Sequence, residues 1–283
     1  MTPPLGAPQE ERCVLPDPEG VSREAAERFV ALAQRCAQAS GRCLLALAGG
    51  ASPRGLYARL ASEPFRRRVP WERVQVFWSD ERCVPPEHPA SNFGMARDLL
   101  LSRVPLPAAN IHRILAEQGA PEAVARSYER ELQECFHVAD GDWPSFDLML
   151  LGLGADGHAA SLFPRSAALQ ELRRWVTSTT GGHPPLPRVT LTLPVLNAAK
   201  HLIWLVTGSQ KASATRAVLE GPERLDDVPA QRIRLRSGVS VWLMDRAASS
   251  LLRPRATEPG QPRGSATDVS SRAADQPTGR TAT

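Results

Sequence analysis

The chain has 283 residues, of which 42% are hydrophobic and 23% are charged, so it can bury an ordinary core without a disulfide framework. Its net charge of +4 is spread along the chain, with Arg66-Arg67-Arg68 as the densest basic run, which argues against nucleic acid as a partner and suits a small anion. The sequence has no secretory signal and no apolar run of membrane-spanning length, so we expect a cytoplasmic protein with no membrane partner.

The predicted elements alternate between helices and strands that are apolar throughout. After a proline-rich lead at 1–20, the predicted helices cover 22–40, 53–60, 92–101, 122–137 and 212–220, and the predicted strands cover 43–48, 74–78, 146–151, 188–192, 201–206 and 239–244. Apolar strands that alternate with helices indicate a mainly parallel sheet covered on both faces. We therefore expect a single α/β domain over residues 21–252.

Local sequence features predict the bounds of the first helix and the point at which the domain ends. Ser22 is the expected N-cap of the first helix, and Gly41 is expected near the end of that helix. Residues 253–283 are rich in Pro, Gly, Ser, Thr and Ala, with Val269 as the one large aliphatic residue. Such a segment cannot bury enough surface to offset the entropy of ordering, so we expect a disordered tail.

The five cysteines are odd in number and include no C-x-x-C pair. This pattern favours a reducing compartment and argues against a structural zinc site. Cys36 and Cys43 are interpreted as small core residues, one on a helix and the other on a strand. We expect no metal in this protein.

A glycine-rich turn follows the strand at 43–48. Gly49 and Gly50 allow the backbone to approach an anion closely, and Ser52-Pro53 then begins a helix whose free N–H groups favour negative charge. The turn therefore indicates phosphate binding. A tight turn in which Ser52 merely caps the helix explains the same residues.

The sequence GLGADG at 152–157 matches the dinucleotide-binding pattern and makes a nicotinamide-dependent dehydrogenase an alternative. The match lies halfway along the chain, and the stretch 177–180 lacks the acidic residue that would bind the ribose hydroxyls. Asp156 and His158 also place an ionisable pair where a pyrophosphate would need bare backbone. These departures argue against a dehydrogenase.

His158 is the candidate general base, because an imidazole at the mouth of a sheet can accept a proton at neutral pH. Asp156, two residues earlier, either orients this ring or shapes its turn. The alternative for His158 is a cap for the following helix. The other histidines lie in proline-rich loops or beside predicted elements that bring no clustered ligands.

Three cations are candidates for binding an anionic substrate. Arg82 follows Asp80 and Glu81 after a strand, Arg188 opens a strand, and Lys211 follows a strand and precedes a helix. Ligands of parallel α/β sheets bind beyond the carboxyl ends of the strands, so we expect these segments to gather at one edge. Taken singly, Arg188 and Lys211 are better explained as solvated surface cations, and the acidic pair before Arg82 is either an acid–base cluster or a solvated turn.

Taken together, these segments resemble the 6-phosphogluconolactonase family. The stretches that carry the resemblance are LALAGGASPRGLYARLA, VFWSDERCVPPEHPASNFGMA, FDLMLLGLGADGHAASLFP and RVTLTLPVLNAAK, in the family's order. The resemblance covers residues 20 to 250. It implies a Rossmann-like, doubly wound α/β fold that is shared with sugar-phosphate isomerases and with deaminases of the glucosamine-6-phosphate type.

The resemblance also implies an activity, which is the hydrolysis of 6-phosphoglucono-1,5-lactone in the oxidative pentose phosphate pathway. It implies His158 as the general base on water, with no cofactor. It assigns the phosphate to Arg188, Lys211 and the turn at 49–50, and the sugar-acid end to Arg82. The implied partner is this small sugar phosphate lactone, and we expect a monomer or a weak homo-oligomer.

Two positions depart from the family pattern. Ala51-Ser52 stands where Ser-Thr is usual, and Ala159 stands where a threonine commonly follows the histidine. Neither position touches the expected base or cations, so the resemblance implies altered affinity with activity retained. Because no G-x-S-x-G motif is present, we expect no acyl-enzyme.

Two further alternatives remain. A deaminase or isomerase of the same fold would need a carboxylate base, which Asp80 or Glu81 could supply. A non-catalytic sugar-phosphate sensor would need Arg188 and Lys211 and would tolerate the loss of His158.

Overall fold

The computed structural model describes residues 7–139 and 141–253. The helices are α1 (Pro18–Ser40), α2 (Pro53–Leu60), α3 (Phe65–Arg68), α4 (Asn92–Leu99), α5 (Pro121–Phe136), α6 (Leu193–Leu196) and α7 (Ala212–Glu220). The strands are β1 (Gln9–Leu15), β2 (Cys43–Leu47), β3 (Val74–Trp78), β4 (Asp80–Arg82), β5 (Leu148–Gly152), β6 (Val176–Gly181), β7 (Leu186–Leu191), β8 (His201–Val206) and β9 (Val239–Asp245). The predicted disordered tail at 253–283 lies outside the described residues, apart from Arg253.

Six strands form one fully parallel sheet in the order β1-β9-β8-β5-β2-β3. All five residues of β2 are buried, which is why the strand consists of an unbroken apolar run. The chain moves from β2 outward to β3 and then places β5 on the other side of β2. The carboxyl ends of β2 and β5 therefore flank the point at which the strand order reverses, where doubly wound sheets bind ligands. This sheet confirms the predicted α/β fold.

A second, smaller sheet is antiparallel, in the order β4-β7-β6. The strand predicted at 188–192 belongs to this sheet as β7 and begins at Leu186, so its expected place in the parallel series is wrong. Its neighbour β6 was not predicted, because the sequence Val-Thr-Ser-Thr-Thr-Gly is mostly polar and only partly buried. The unbroken apolar run that is typical of buried parallel strands is therefore missing from β6.

The predicted lead at 1–20 contains strand β1. This strand pairs with β9 from Gln9 opposite Val239 to Leu15 opposite Asp245. Its sequence is largely polar and exposed, because it forms the edge of the sheet, and the apolar run that reveals the inner strands is therefore missing. The sheet thus begins before the boundary expected at residue 21.

Helix α1 begins four residues earlier than predicted. Its N-cap is Asp17, whose carboxylate accepts a hydrogen bond from the backbone N–H of Gly20 at 2.8 Å, so the prediction of Ser22 is wrong. Ser22 lies inside the helix and donates its hydroxyl to the carbonyl of Pro18. Gly41 ends the helix as expected, with a left-handed φ of 74°. Within the part of the chain that the structure describes, no helix is long and apolar enough to cross a membrane.

Candidate active site

The carboxyl ends of the parallel strands surround a cleft of about 270 Å³. The turn after β2, the loop after β5 and the segment after β8 contribute to its walls, and β4 and β7 of the small sheet close one side. Of the eight predicted site residues, seven line this cleft: Gly49, Gly50, Ser52, Arg82, His158, Arg188 and Lys211. The eighth, Asp156, lies behind His158. The topology therefore brings together segments that are up to 162 residues apart in the sequence, from Gly49 to Lys211.

The Asp156 carboxylate holds the His158 ring in place. Its Oδ1 lies 2.5 Å from His158 Nδ1 and also accepts a hydrogen bond from the His158 backbone N–H at 3.2 Å. Asp156 therefore both orients the ring and shapes the turn. Because a carboxylate only accepts hydrogen bonds, Nδ1 carries the proton of the neutral ring, and the lone pair of Nε2 is available to accept another.

The same contact stabilises Asp156 as an anion. Burial raises the pKa of Asp156, but the hydrogen bond and the charge of His158 outweigh that effect and leave the pKa below its ordinary value. The pair therefore combines a fixed carboxylate with an imidazole that has one nitrogen free. This is the arrangement that general-base catalysis requires.

Gly154 makes room for this pair. A Cβ atom at Gly154 would lie 2.1 Å from His158 Nδ1 and 2.5 Å from Asp156 Oδ1. Gly157 has a left-handed φ of 84°, which lets the loop turn back towards the sheet. The glycines of the GLGADG segment thus surround an ionisable pair, and the space that a pyrophosphate would need beside Gly154 is filled.

Phe163 lies between the imidazole and one of the arginines. Its ring centroid is 4.6 Å from that of His158, and the Arg188 guanidinium carbon lies 5.2 Å from the same centroid. The side chain is 6% exposed, so it forms a rigid wall. Sequence analysis did not single out Phe163, because a phenylalanine five residues after a histidine resembles any core residue.

Arg82 and Arg188 lie opposite each other in adjacent strands of the small sheet. The Arg82 guanidinium donates to the carbonyl of Ala90 at 2.5 Å, and its Nε has no hydrogen-bond partner among the described residues. Arg188 is 7% exposed and donates to the carbonyl of Gly181. Burial lowers the pKa of Arg188, the Arg82 cation lowers it further, and Asp80 and Glu81 act in the opposite direction.

Asp80 is the carboxylate that lies beside Arg188. Its Oδ2 accepts a hydrogen bond from Ser161 at 2.7 Å and lies 3.9 Å from Arg188 Nη1, while Oδ1 accepts from Asn92 at 3.2 Å. Glu81 points away from the cleft lining and accepts the backbone N–H groups of Asn92 and Phe93 at the start of α4. The predicted acidic cluster therefore separates into one residue that lines the cleft and one that supports a helix.

The turn after β2 is open on its cleft side. Gly50 has a left-handed φ of 90°, and a Cβ atom at Gly49 would overlap Asn92 Oδ1, so both positions require glycine. Ser52 holds the N-cap position of α2, but its hydroxyl makes no helix-cap bond and instead contacts the Thr207 hydroxyl at 2.9 Å, so the alternative in which Ser52 merely caps the helix is not supported. This contact joins the turn after β2 to the segment after β8.

Lys211, in the segment after β8, is the third cation that lines the cleft. It ends the 3₁₀ turn Ser209–Lys211 at the start of α7. Burial lowers the pKa of Lys211, and the Asp156 carboxylate partly opposes this effect. With Arg82 and Arg188, Lys211 gives the cleft three cations against one carboxylate, Asp80, among the described residues that line it. Such a lining favours an anionic ligand.

The model of the family described as glucosamine-6-phosphate isomerases/6-phosphogluconolactonase matches residues 16–242. The chain belongs to this family. A 6-phosphogluconolactonase of Nostoc sp. is 38% identical over 239 residues, which are 84% of this chain and 97% of that protein. A 6-phosphogluconolactonase of Synechocystis sp. is 42% identical over 214 residues, which are 76% of this chain and 86% of that protein. The crystal structure of 6-phosphogluconolactonase from Leishmania guyanensis superposes with a TM-score of 0.76 at 30% identity, covering 88% of this chain and all of that one.

The fold of this chain is therefore that of the glucosamine-6-phosphate isomerase/6-phosphogluconolactonase family. In the described part of the chain, one group of side chains of the types that can bind metals lies elsewhere, at Cys36, Cys43 and Asp147 near the amino-terminal end of β2. That end of the strand is opposite to the Gly49-Gly50 turn. The expectation that catalysis needs no metal or cofactor stays a prediction.

Proposed function

We propose that this protein hydrolyses 6-phosphoglucono-1,5-lactone to 6-phosphogluconate, with His158 as the general base that activates water. The observation that carries the proposal is the Asp156–His158 contact beside a cleft lined by three cations. The carboxylate fixes the ring so that Nε2 is available at the cleft, and the cations match an anionic substrate. The names of the family relatives support the same reaction.

The phosphate end of the substrate is assigned to Lys211, Arg188 and the turn at 49–50. Lys211 follows β8 of the parallel sheet and Arg188 lies on β7 of the small sheet, and both provide positive charge in a partly buried setting, where a phosphate is bound more strongly than at an exposed surface. The open turn offers backbone N–H groups at the start of α2, which add to the attraction. We assign Arg82 to the sugar-acid end because it lines the cleft in the strand position opposite Arg188.

The reaction follows from these positions. His158 Nε2 takes a proton from a water molecule, and the oxygen of that water attacks the lactone carbonyl carbon. Asp156 stabilises the imidazolium that forms, and the Arg82 guanidinium stabilises the negative charge on the carbonyl oxygen. When the tetrahedral intermediate collapses, the bond to the ring oxygen breaks and His158 returns the proton to that oxygen. General-base catalysis of this kind contributes about 10²–10⁴-fold to the rate.

The hydroxyl groups near the base are engaged elsewhere, which supports direct attack by water. Ser52 contacts Thr207, and Ser161 donates to Asp80. Neither hydroxyl is hydrogen-bonded to His158, which would have to activate a serine for an acyl-enzyme to form.

A deaminase or isomerase is the second candidate, and Asp80 is the observation that favours it. This carboxylate lines the cleft and could abstract a proton from carbon. Its two oxygens are already engaged by hydrogen bonds from Ser161 and Asn92, and Arg188 Nη1 lies 3.9 Å from Oδ2, so little of the carboxylate is left to reach a substrate carbon. Turnover of glucosamine 6-phosphate is the measurement that separates the two activities.

The deciding experiment measures the opening of freshly generated 6-phosphogluconolactone, with spontaneous opening subtracted. We expect rapid turnover by the wild type and a fall of at least ~10²-fold in His158→Ala. His137→Asn is the matched control, because His137 is an exposed histidine with a left-handed φ that asparagine also adopts. Wild-type activity in His158→Ala would agree with the lactonase function but would exclude His158 as the general base. No turnover by a wild type that still binds sugar phosphates would favour the deaminase or the sensor.

A further inference from the structure

We propose that Cys36 and Cys43 form a dithiol site that hydroperoxides oxidise to an intramolecular disulfide. Cys36 lies in the last turns of α1, and Cys43 is the first residue of β2. The short connection through Gly41 folds the two thiols together, so that both Sγ atoms and a carboxylate oxygen of Asp147 lie within 4.8 Å of one another. A disulfide requires this kind of proximity together with a small adjustment of the two side chains.

The two thiols differ in a way that assigns their roles. Cys36 is partly exposed, whereas Cys43 is 2% exposed. The hydrogen bond between the thiols lowers the pKa of Cys36, burial and the Asp147 charge oppose this, and the Lys200 and Arg35 cations add to it. The hydrogen bond to Cys36 and burial raise the pKa of Cys43. Because Cys36 is the more exposed of the two, its thiolate meets the oxidant, and the buried Cys43 resolves the product.

The remaining cysteines provide an internal contrast. Burial raises the pKa of Cys13 and of Cys83 to about 11 in each case, and it also raises the pKa of Cys135. A thiol that keeps its proton reacts slowly with peroxide. Reactivity is therefore expected to concentrate at Cys36.

The charges around Asp147 favour thiol oxidation over metal binding. Asp147 Oδ1 accepts a hydrogen bond from the Lys200 ammonium group at 2.7 Å, and Oδ2 accepts the backbone N–H of Leu44 at 2.9 Å. Both carboxylate oxygens are engaged, and a divalent cation would have to displace or face the ammonium group. The same ammonium stabilises a thiolate.

The chemistry balances with the peroxide as the oxidant. The Cys36 thiolate attacks one peroxide oxygen, the O–O bond breaks, and the thiolate becomes a sulfenic acid while the second oxygen leaves as hydroxide and takes up a proton. The Cys43 sulfur then attacks the Cys36 sulfur, loses its proton and expels the sulfenic oxygen as water. Two thiols lose two electrons in total, which reduce one peroxide.

The printed sequence makes the product easy to detect. Arg35 and Arg42 precede the two cysteines, so trypsin releases peptides 36–42 and 43–54 as separate species that only a disulfide holds together. The folded full-length chain is treated with hydrogen peroxide, alkylated and digested. We expect the linked peptide pair to form, to separate on reduction, and to appear about tenfold faster than oxidation of Cys13, Cys83 or Cys135.

Two variants and a second readout complete the test. Cys43→Ser should leave Cys36 as a sulfenic acid that dimedone traps, and Cys135→Ser should not change the linked pair. Absence of the linkage while the other cysteines oxidise, or equal rates at all five, would overturn the proposal. Because the dithiol lies at the end of β2 opposite the cleft, the linkage is scored independently of lactone hydrolysis.

Discussion

At the scale of single residues, the space beside Gly154 decides where the proposed catalytic pair can sit. The side chains of Asp156 and His158 occupy the position that a Cβ atom would take. By contrast, a Cβ atom at Gly152 would come no closer than 3.9 Å to Gly49 O. The two glycines of the same short motif therefore differ sharply in what surrounds them.

This difference predicts opposite outcomes for two similar substitutions. Gly154→Ala should displace the imidazole from Asp156 and lower kcat by about 10²-fold or more, with little change in Tm because movable side-chain ends give way. Gly152→Ala should keep the Asp156–His158 contact. Steady-state kinetics and the imidazole proton resonances check both variants. A Gly154→Ala enzyme with wild-type kcat would contradict the role given to this pair.

Asp80 balances the charge of Arg188, and its removal should show this. Asp80→Asn is expected to destabilise the fold by about 1–3 kcal/mol, because Arg188 loses this carboxylate while the Arg82 cation still acts on it. Inorganic phosphate should raise Tm more in the variant than in the wild type, since a bound anion replaces the lost charge. Asp98→Asn, at an exposed carboxylate, is the control. Equal phosphate responses in all three proteins would argue against this balance.

At the scale of elements, two substitutions near the start of helix α1 test which residue is its N-cap. Asp17→Ala should destabilise the protein by about 1 kcal/mol, because the N–H of Gly20 loses its partner. Ser22→Ala should cost less, since the Ser22 hydroxyl only bonds back to the carbonyl of Pro18. Urea unfolding at constant m-value measures both. A larger loss of stability in Ser22→Ala than in Asp17→Ala would indicate Ser22 as the capping residue.

Sequence patterns revealed the elements that are buried on both sides and missed those that are not. Strands β2, β3, β5, β8 and β9 are apolar runs, and each was predicted within two residues of its observed ends. Strands β1, β4 and β6 were missed as strands because they are short, polar or at an edge, where the partner strand decides the conformation. In the cleft, the charged residues and glycines were found from motifs. Phe163, Asn92 and Thr207 were not, because ordinary side chains acquire a role there only through tertiary contacts.

At the scale of the whole molecule, the edge strand β1 predicts how far the chain can be shortened. Deleting residues 1–15 should lower Tm markedly and expose β9, because seven paired positions are lost. Deleting residues 254–283 should leave kcat/KM unchanged, since every residue that lines the cleft lies between Ala48 and Lys211. Thermal unfolding and lactone kinetics of the two truncated chains check this. Equal stability after both deletions would contradict the importance of β1.

The proposed base and the two arginines belong to different sheets. His158 follows β5 of the parallel sheet, whereas Arg82 and Arg188 lie on β4 and β7 of the small sheet. Over evolution or in engineering, changes in the small sheet would consequently alter how Arg82 and Arg188 hold a substrate, whereas the Asp156–His158 contact would be inherited with the large sheet.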